Sequence, residues 1–284
     1  MNRHLIVPFL MGQWRAGLCR VADLDGHDWD VIADPDLRQT HIADANEKMR
    51  RMGLIYARLA EAVKQRVRAG LVPVCIAGDC MSTSGVLAGL QQGGRAPERI
   101  LWLDAHGDFH TWGTTQTQYL GGMPLAVLVG RGDRRQAGRD AIGAFVAAVG
   151  VQAYPEHRVV LSDARELDPG EAEAVRASAI VTCGIDAVLS HLRPDESLYL
   201  HWDTDVVDAE ADTPALKYHV KHGPSWADMH ALFRALRGMG IVAVSVSAWH
   251  EEGDADNAAA LASLALLREL DGEPARAAAP RGGR

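Results

Sequence analysis

Cysteine is scarce in this chain of 284 residues: Cys19, Cys75, Cys80 and Cys183 are the only four, and they form no CxxC pair. That excludes a disulfide framework and fits thiols kept reduced in a cytoplasm. An excess of positive charge is also missing. Lys and Arg number 29 against 37 Asp and Glu, a formal charge of -8, with a pI near 5.8. Such a surface repels a phosphate backbone, so no nucleic-acid partner is expected. Long apolar runs are absent too, since no stretch reaches the roughly 18 to 20 residues that span a bilayer. The opening MNRHLIVPFLMGQW is broken by Pro8, turns polar at Gln13 and has no small-residue cleavage site. It reads as a buried first strand rather than a signal peptide, and the chain as soluble and cytoplasmic with no membrane partner.

What is present is apolar residues, 48% of the chain, enough to bury a full core. They fall in short β-branched runs that alternate with longer amphipathic stretches, the pattern of an α/β fold with a mostly parallel sheet covered on both faces. Eight runs read as strands: Leu5–Leu10, Trp29–Ala33, Val72–Ala77, Ile100–Asp104, Arg158–Leu161, Ala179–Thr182, Leu198–Asp203 and Val242–Ser247. Between the second and third, Met52, Ile55, Tyr56, Leu59, Val63 and Val67 recur at helical spacing and mark one face of a long helix that Gly70 stops. Further helices are expected over Ser84–Gln92, Met123–Val129, Asp140–Val149, Gly170–Ala177, Trp226–Arg237 and Asn257–Leu270. Every Gly/Pro cluster is short enough to be a sheet-to-helix loop, so residues 1–270 read as one domain. The tail 271–284, DGEPARAAAPRGGR, has too little apolar surface to offset its ordering entropy and is expected to be mobile.

Ligands of open α/β sheets bind beyond the carboxyl ends of the strands, and three of these strands lead into potential metal ligands. The fourth leads into Asp104, His106, Asp108 and His110, the seventh into Asp203 and Asp205, and the third into Asp79 and Cys80. Alternation in an extended strand end would point Asp104, His106 and Asp108 the same way and set Asp203 beside Asp205. One pocket would then hold several mutually repelling carboxylates, tolerable when divalent cations neutralise them. An oxygen-rich set with an imidazole suits manganese, and two such ions acidify a shared water for hydrolysis. Asp79, followed by Ser82, Thr83 and Ser84, also reads as an ordinary residue at a helix entry.

The segments GDCMSTSG, DAHGDFH and HWDTDVVD resemble the three metal-binding motifs of the ureohydrolase family of arginases and agmatinases. The loop HTWGTTQTQYLGGMP and the segment RELDPGE extend the resemblance, in family order, from about Leu5 to about Ser247. It implies a three-layer αβα fold around an eight-stranded sheet, a homotrimer or homohexamer, and two Mn2+ ions per chain. Asp104 and Asp203 would bridge the ions; Cys80 and Asp108 would complete one ligand set, and His106 and Asp205 the other. Asp108 would also carry a proton to the leaving amine. The resemblance further implies a small guanidino substrate and urea as product, with Asp168 touching a substrate ammonium and Thr115 and Thr117 facing it from the opposite loop.

Three positions depart from that pattern. Cys80 stands where the family has a histidine, which brings a softer ligand and opens the site to other divalent metals. Gly121 replaces the loop histidine of arginases, and His110 is the nearby imidazole that could take its catalytic part. Ser247 stands near the position of a glutamate that holds the guanidinium, with Glu251 and Glu252 slightly further along. These departures favour a modified arginine, such as hydroxyarginine, over arginine itself. Two other readings use the same residues: a single-zinc deacetylase-like amide hydrolase, and a non-catalytic metal-binding member of the family.

Overall fold

The computed structural model describes residues 2–132, 141–208, 210, 218, 220–247 and 251–272. Asp140, at the start of one expected helix, and residues 273–284 of the tail lie outside the described residues. In chain order the elements are β1 (His4–Val7), β2 (Phe9–Leu10), β3 (Gln13–Trp14), α1 (Val21–Asp25), β4 (Trp29–Val31) and α2 (Ala45–Arg68). Then come β5 (Val74–Ala77), α3 (Thr83–Gln92), β6 (Arg99–Leu103), α4 (Pro124–Leu128), α5 (Ala141–Val149) and β7 (Val159–Ser162). The rest are α6 (Pro169–Arg176), β8 (Val181–Cys183), β9 (Ser197–Asp203), α7 (Trp226–Leu236), β10 (Gly240–Ser247) and α8 (Ala258–Asp271).

Eight strands form one sheet in the order β4-β1-β5-β10-β9-β6-β7-β8, and every pairing in it is parallel. Side chains alternate between two cores, except at the register shift in β10 that puts Val242 and Ala243 on the same side. Val7, Cys75, Ala77, Trp102, Leu161 and Tyr199 face the first core, with α2, α3, α4 and α5. Ile6, Ile76, Leu101, Leu103, Leu200 and Val246 face the second, with α1, α7 and α8. This gives the three αβα layers. Parallel strands buried on both faces are the reason these runs are continuously apolar.

The helix after β4 begins at Asp44, whose side chain accepts a hydrogen bond from the Glu47 backbone N–H at 2.7 Å. Its expected face is buried: Met52, Ile55, Tyr56, Leu59 and Val63 are at most 1% exposed. Each such side chain contributes about 1.5–3 kcal/mol. Several boundaries differ from the sequence reading by a few residues, for instance β8 at Val181–Cys183, and at two of them proline is the cause. The first strand stops before Pro8, which cannot donate to the ladder, and Phe9–Leu10 turn into an antiparallel hairpin with Gln13–Trp14. The third sheet strand starts after Pro73, not at Val72, for the same reason.

At the amino end of the sheet His4 packs against Trp29 and His27. Burial, aided by the charges of Arg3 and His27 and opposed by Asp25 and Asp271, lowers its pKa from 6.5 to about 4. The folded state therefore holds His4 neutral. The stability this contributes is intact above 6.5 and is lost as pH falls toward 4. Thermal unfolding followed across that window should fall less steeply for His4→Gln than for the parent; equal slopes would contradict the assignment.

Candidate metal centre

Four neighbouring strands, β5, β10, β9 and β6, carry the site at their carboxyl ends. Cys80 follows β5, Ser247 ends β10, Asp203 ends β9, and Asp104 follows β6. The ligand atoms of Cys80, Asp104 and Asp203 all lie within 4.8 Å of one another, and so do those of Asp104, His106 and Asp205. The two sets share Asp104. Cys80, His106, Asp203 and Asp205 of these sets line a cavity of about 290 Å3 together with Asp108, His110, Thr115, Thr117 and Asp168, while Asp104 is fully buried beside them.

Backbone geometry explains the convergence, though not through the strand alternation expected from the sequence. Asp203 enters a 3-10 turn over Thr204–Val206, and its Oδ1 accepts the Asp205 N–H at 3.0 Å. That turn, rather than an extended step, swings Asp205 to the same side. Asp108 sits at φ 50, in the left-handed region that short acidic side chains tolerate. Its carbonyl accepts from Leu125 N at 2.9 Å and Ala126 N at 3.1 Å, at the start of α4. Gly107 allows this bend, since a Cβ there would lie 2.6 Å from Leu167 and 2.8 Å from Glu171. Arg165 holds the other side, donating to the carbonyls of Val220 at 3.1 Å and Asp205 at 3.4 Å.

The acids are buried almost completely: Asp104 is 0% exposed, Asp205 1%, Asp203 4% and Asp108 5%. Asp104 accepts from Trp102 Nε1 at 3.0 Å and from the His106 N–H at 2.8 Å. Burial, then the charge of Asp205, raises the Asp104 pKa. Burial followed by Asp104 and Asp203 drives Asp108 well up, and burial followed by Asp205 and Asp104 does the same to Asp203. The Cys80 thiol is pushed well up by burial and then by Asp203, Asp108 and Asp104. His106 is pushed up to about 12, its burial outweighed by hydrogen bonds with Asp104 and Asp205. Asp108 Oδ2 is buried without a hydrogen-bond partner. Stacked carboxyls, one orphaned oxygen and an adjacent thiol and imidazole fit divalent cations, which would supply the missing positive charge.

Above the floor, His110 Nε2 lies 3.2 Å from Asp168 and 3.8 Å from Glu171, and its Nδ1 lies 3.1 Å from Thr114 Oγ1. Both ring nitrogens thus have side-chain partners. Thr115 and Thr117 also line the cavity. The position of the missing loop histidine is occupied differently: a Cβ on Gly121 would lie 2.3 Å from the Tyr119 ring, so that ring fills the space. Ser247 does not reach the cavity. It is 0% exposed and its Oγ lies 2.8 Å from Cys80 Sγ, behind the floor. Glu252 is turned away to pair with Arg15, and Glu251 packs by Gly17; both border a separate cavity. Asp79 acts as an anchor, accepting from Met11 N and Tyr56 OH at 2.6 Å each.

Glu171 was not singled out from the sequence. It is 4% exposed and accepts the Phe109 N–H at 2.8 Å, which fixes the loop carrying Asp108 and His110. The signal was available, because Glu171 lies three residues after Asp168 and so shares one face of α6. Glu166, Tyr119 and Tyr218 also line the cavity, and among the described lining residues none is Lys or Arg. The chamber is an acidic one that attracts cations.

Comparison with known proteins agrees with this geometry. The arginase family profile matches residues 15–271. The arginase of Bacillus caldovelox is 30% identical over 251 residues, 82% of this chain and 76% of that protein. The N(omega)-hydroxy-L-arginine amidinohydrolase of Streptomyces lavendulae is 26% identical over 259 residues, 89% of this chain and 82% of that one. The fold of Entamoeba histolytica arginase, solved with L-ornithine, superimposes with a TM-score of 0.77 at 17% identity, covering 96% of this chain and 99% of that chain. No described helix is long and apolar enough to cross a membrane. The chain belongs to the arginase family, hydrolases that act on amidino groups.

Proposed function

We propose that this protein is a manganese-dependent amidinohydrolase that cleaves a guanidino C–N bond, releasing urea from a plain guanidine and hydroxyurea from hydroxyarginine, the modified arginine that we take as its substrate. The observation that carries the reading is the pair of donor sets that share the buried Asp104 and whose other four members line an acidic cavity. Cys80, Asp104, Asp108 and Asp203 would hold one cation, and Asp104, His106, Asp203 and Asp205 the other. When bound, the pair supplies a water whose pKa is lowered to about 7.

The rest of the chemistry belongs to the chain. Water adds to the planar guanidinium carbon, the C–N bond to the side chain breaks, and the amine leaves with a proton. Asp108, with an oxygen that no protein group engages, is placed to take the proton from the water and return it to that amine. Asp168 and Glu171, with Thr115 and Thr117 in the same cavity, provide a wall that binds the far cationic end of the substrate. His110, held between Asp168 and Thr114, positions that wall. The substrate reading is supported by Cys80 and Gly121, and by the likeness to the Streptomyces lavendulae enzyme. Two donor sets also favour a two-cation site over a single zinc.

A panel of guanidines incubated with the Mn2+-loaded protein provides the test. Urea should appear from arginine and hydroxyurea, faster, from hydroxyarginine. Neither product from any member would overturn the proposal, and one tightly held zinc per chain would favour amide hydrolysis instead.

A further inference from the structure

Two of the three departures noted in the sequence, Cys80 and Ser247, touch one another at 2.8 Å. Behind that contact runs a polar chain that the proposed reaction does not use. Register places Ser245 opposite His201 and Ser247 opposite Asp203. Tyr199, His201 and Asp203 therefore share one face of β9, and Ser245 and Ser247 share the same face of β10. Tyr199 OH lies 2.7 Å from Ser245 Oγ, and Ser245 Oγ lies 2.8 Å from His201 Nδ1. His201 Nε2 is 3.4 Å from Ser247 Oγ, and Cys80 Sγ is 2.9 Å from Asp203 Oδ2. Tyr199, His201, Ser245 and Ser247 are each 0% exposed, and Trp102 packs on the His201 ring at 4.1 Å.

The donors and acceptors close in one direction. Tyr199 donates to Ser245, Ser245 donates to His201 Nδ1, His201 Nε2–H donates to Ser247, and Ser247 donates to the sulfur of Cys80. Such a chain in the floor of a parallel sheet is costly unless every member is satisfied, and this order satisfies each one. Its free end points at the sulfur.

We infer that Ser247, backed by His201, Ser245 and Tyr199, is a positioning residue for Cys80 that holds its sulfur toward the first cation site. The inference rests on the reading of Cys80 as a ligand. It assigns Ser247 to the metal floor rather than to the substrate, and it makes the cysteine and the serine a matched pair: a thiolate ligand with a hydroxyl donor behind it. Outer partners of this kind fix ligand orientation, and their loss typically costs about 10- to 100-fold in metal affinity.

Cobalt(II) substitution reads this directly, because sulfur bound to cobalt gives a thiolate charge-transfer band whether or not the enzyme turns over. The parent should show the band and Cys80→Ser should lose it. If the parent shows none, the assignment of Cys80 as a ligand fails, and the inference with it. Given the band, Ser247→Ala should shift or weaken it and loosen one cation about tenfold, with the second cation retained. Ser247→Thr should restore it. Ser245→Ala, remote from the ions, should produce a smaller shift in the same direction and serves if Ser247→Ala does not fold. A band unchanged in energy and in cobalt affinity in both variants would overturn the inference while leaving Cys80 a ligand.

Discussion

Asp104→Asn should reduce product release by roughly 1000-fold or more and leave at most one cation per chain, because Asp104 is the residue that the two geometric donor clusters share and, with Asp203, belongs to both proposed ligand sets. The substitution preserves size but keeps one acceptor oxygen, so only one of Trp102 Nε1 and the His106 N–H, which bond different oxygens of Asp104, retains its partner. It removes the negative charge that each cation needs. His106 would also lose one of the two carboxylates that raise its pKa. The fold should survive, since Asn relieves the repulsion with Asp205 that acts on Asp104. Metal analysis, urea assay and circular dichroism on one preparation check the three parts together. An Asp104→Asn protein holding two cations with near-parental turnover would show that the shared carboxylate is not the hinge of the site.

The second large effect concerns stability. Four aspartates buried beyond nine-tenths and a buried thiol face one another, and no Lys or Arg joins them in the described lining. Ionised together without a cation they would cost several kcal/mol each. A cation present at 1,000 times its Kd adds about 4 kcal/mol to the folded state. For a chain of this size each kcal/mol moves the unfolding midpoint by roughly 2–4 °C. Stripping both cations with a chelator should therefore lower the midpoint by roughly 15–30 °C. Readdition of Mn2+ should restore it. Asp104→Asn should show a much smaller chelator effect than the parent, since it has fewer cations to lose. A midpoint indifferent to chelation would mean that protons, not metals, keep those acids together.

Most of the architecture was legible because its signals are local. Continuous apolar runs such as ILWL and SLYL ahead of Asp104 and Asp203 announce buried parallel strands, and the long helix shows its face in one pass. The DAHGDFH and DTD segments marked the acids that the structure collects on one floor. What was not legible depends on chain direction rather than composition. Strand alternation was the wrong reason for Asp205, which arrives by a 3-10 turn. The hairpin after Pro8 was read as one strand, since two-residue strands have no periodicity to detect. Ser247 was placed among substrate contacts because a position at a strand end does not reveal which way the side chain faces; the register of β10 on β9 turns it toward Cys80. Glu171 and the Tyr119 ring over Gly121 are tertiary facts of the same kind.

Anomalous diffraction at the manganese edge from crystals grown with Mn2+ tests the central claim most directly. Two peaks per chain are predicted, one among Cys80, Asp104 and Asp203 and one among Asp104, His106 and Asp205, roughly 3.5 to 4 Å apart. No peak at either set, or a lone ion away from Asp104, would contradict it.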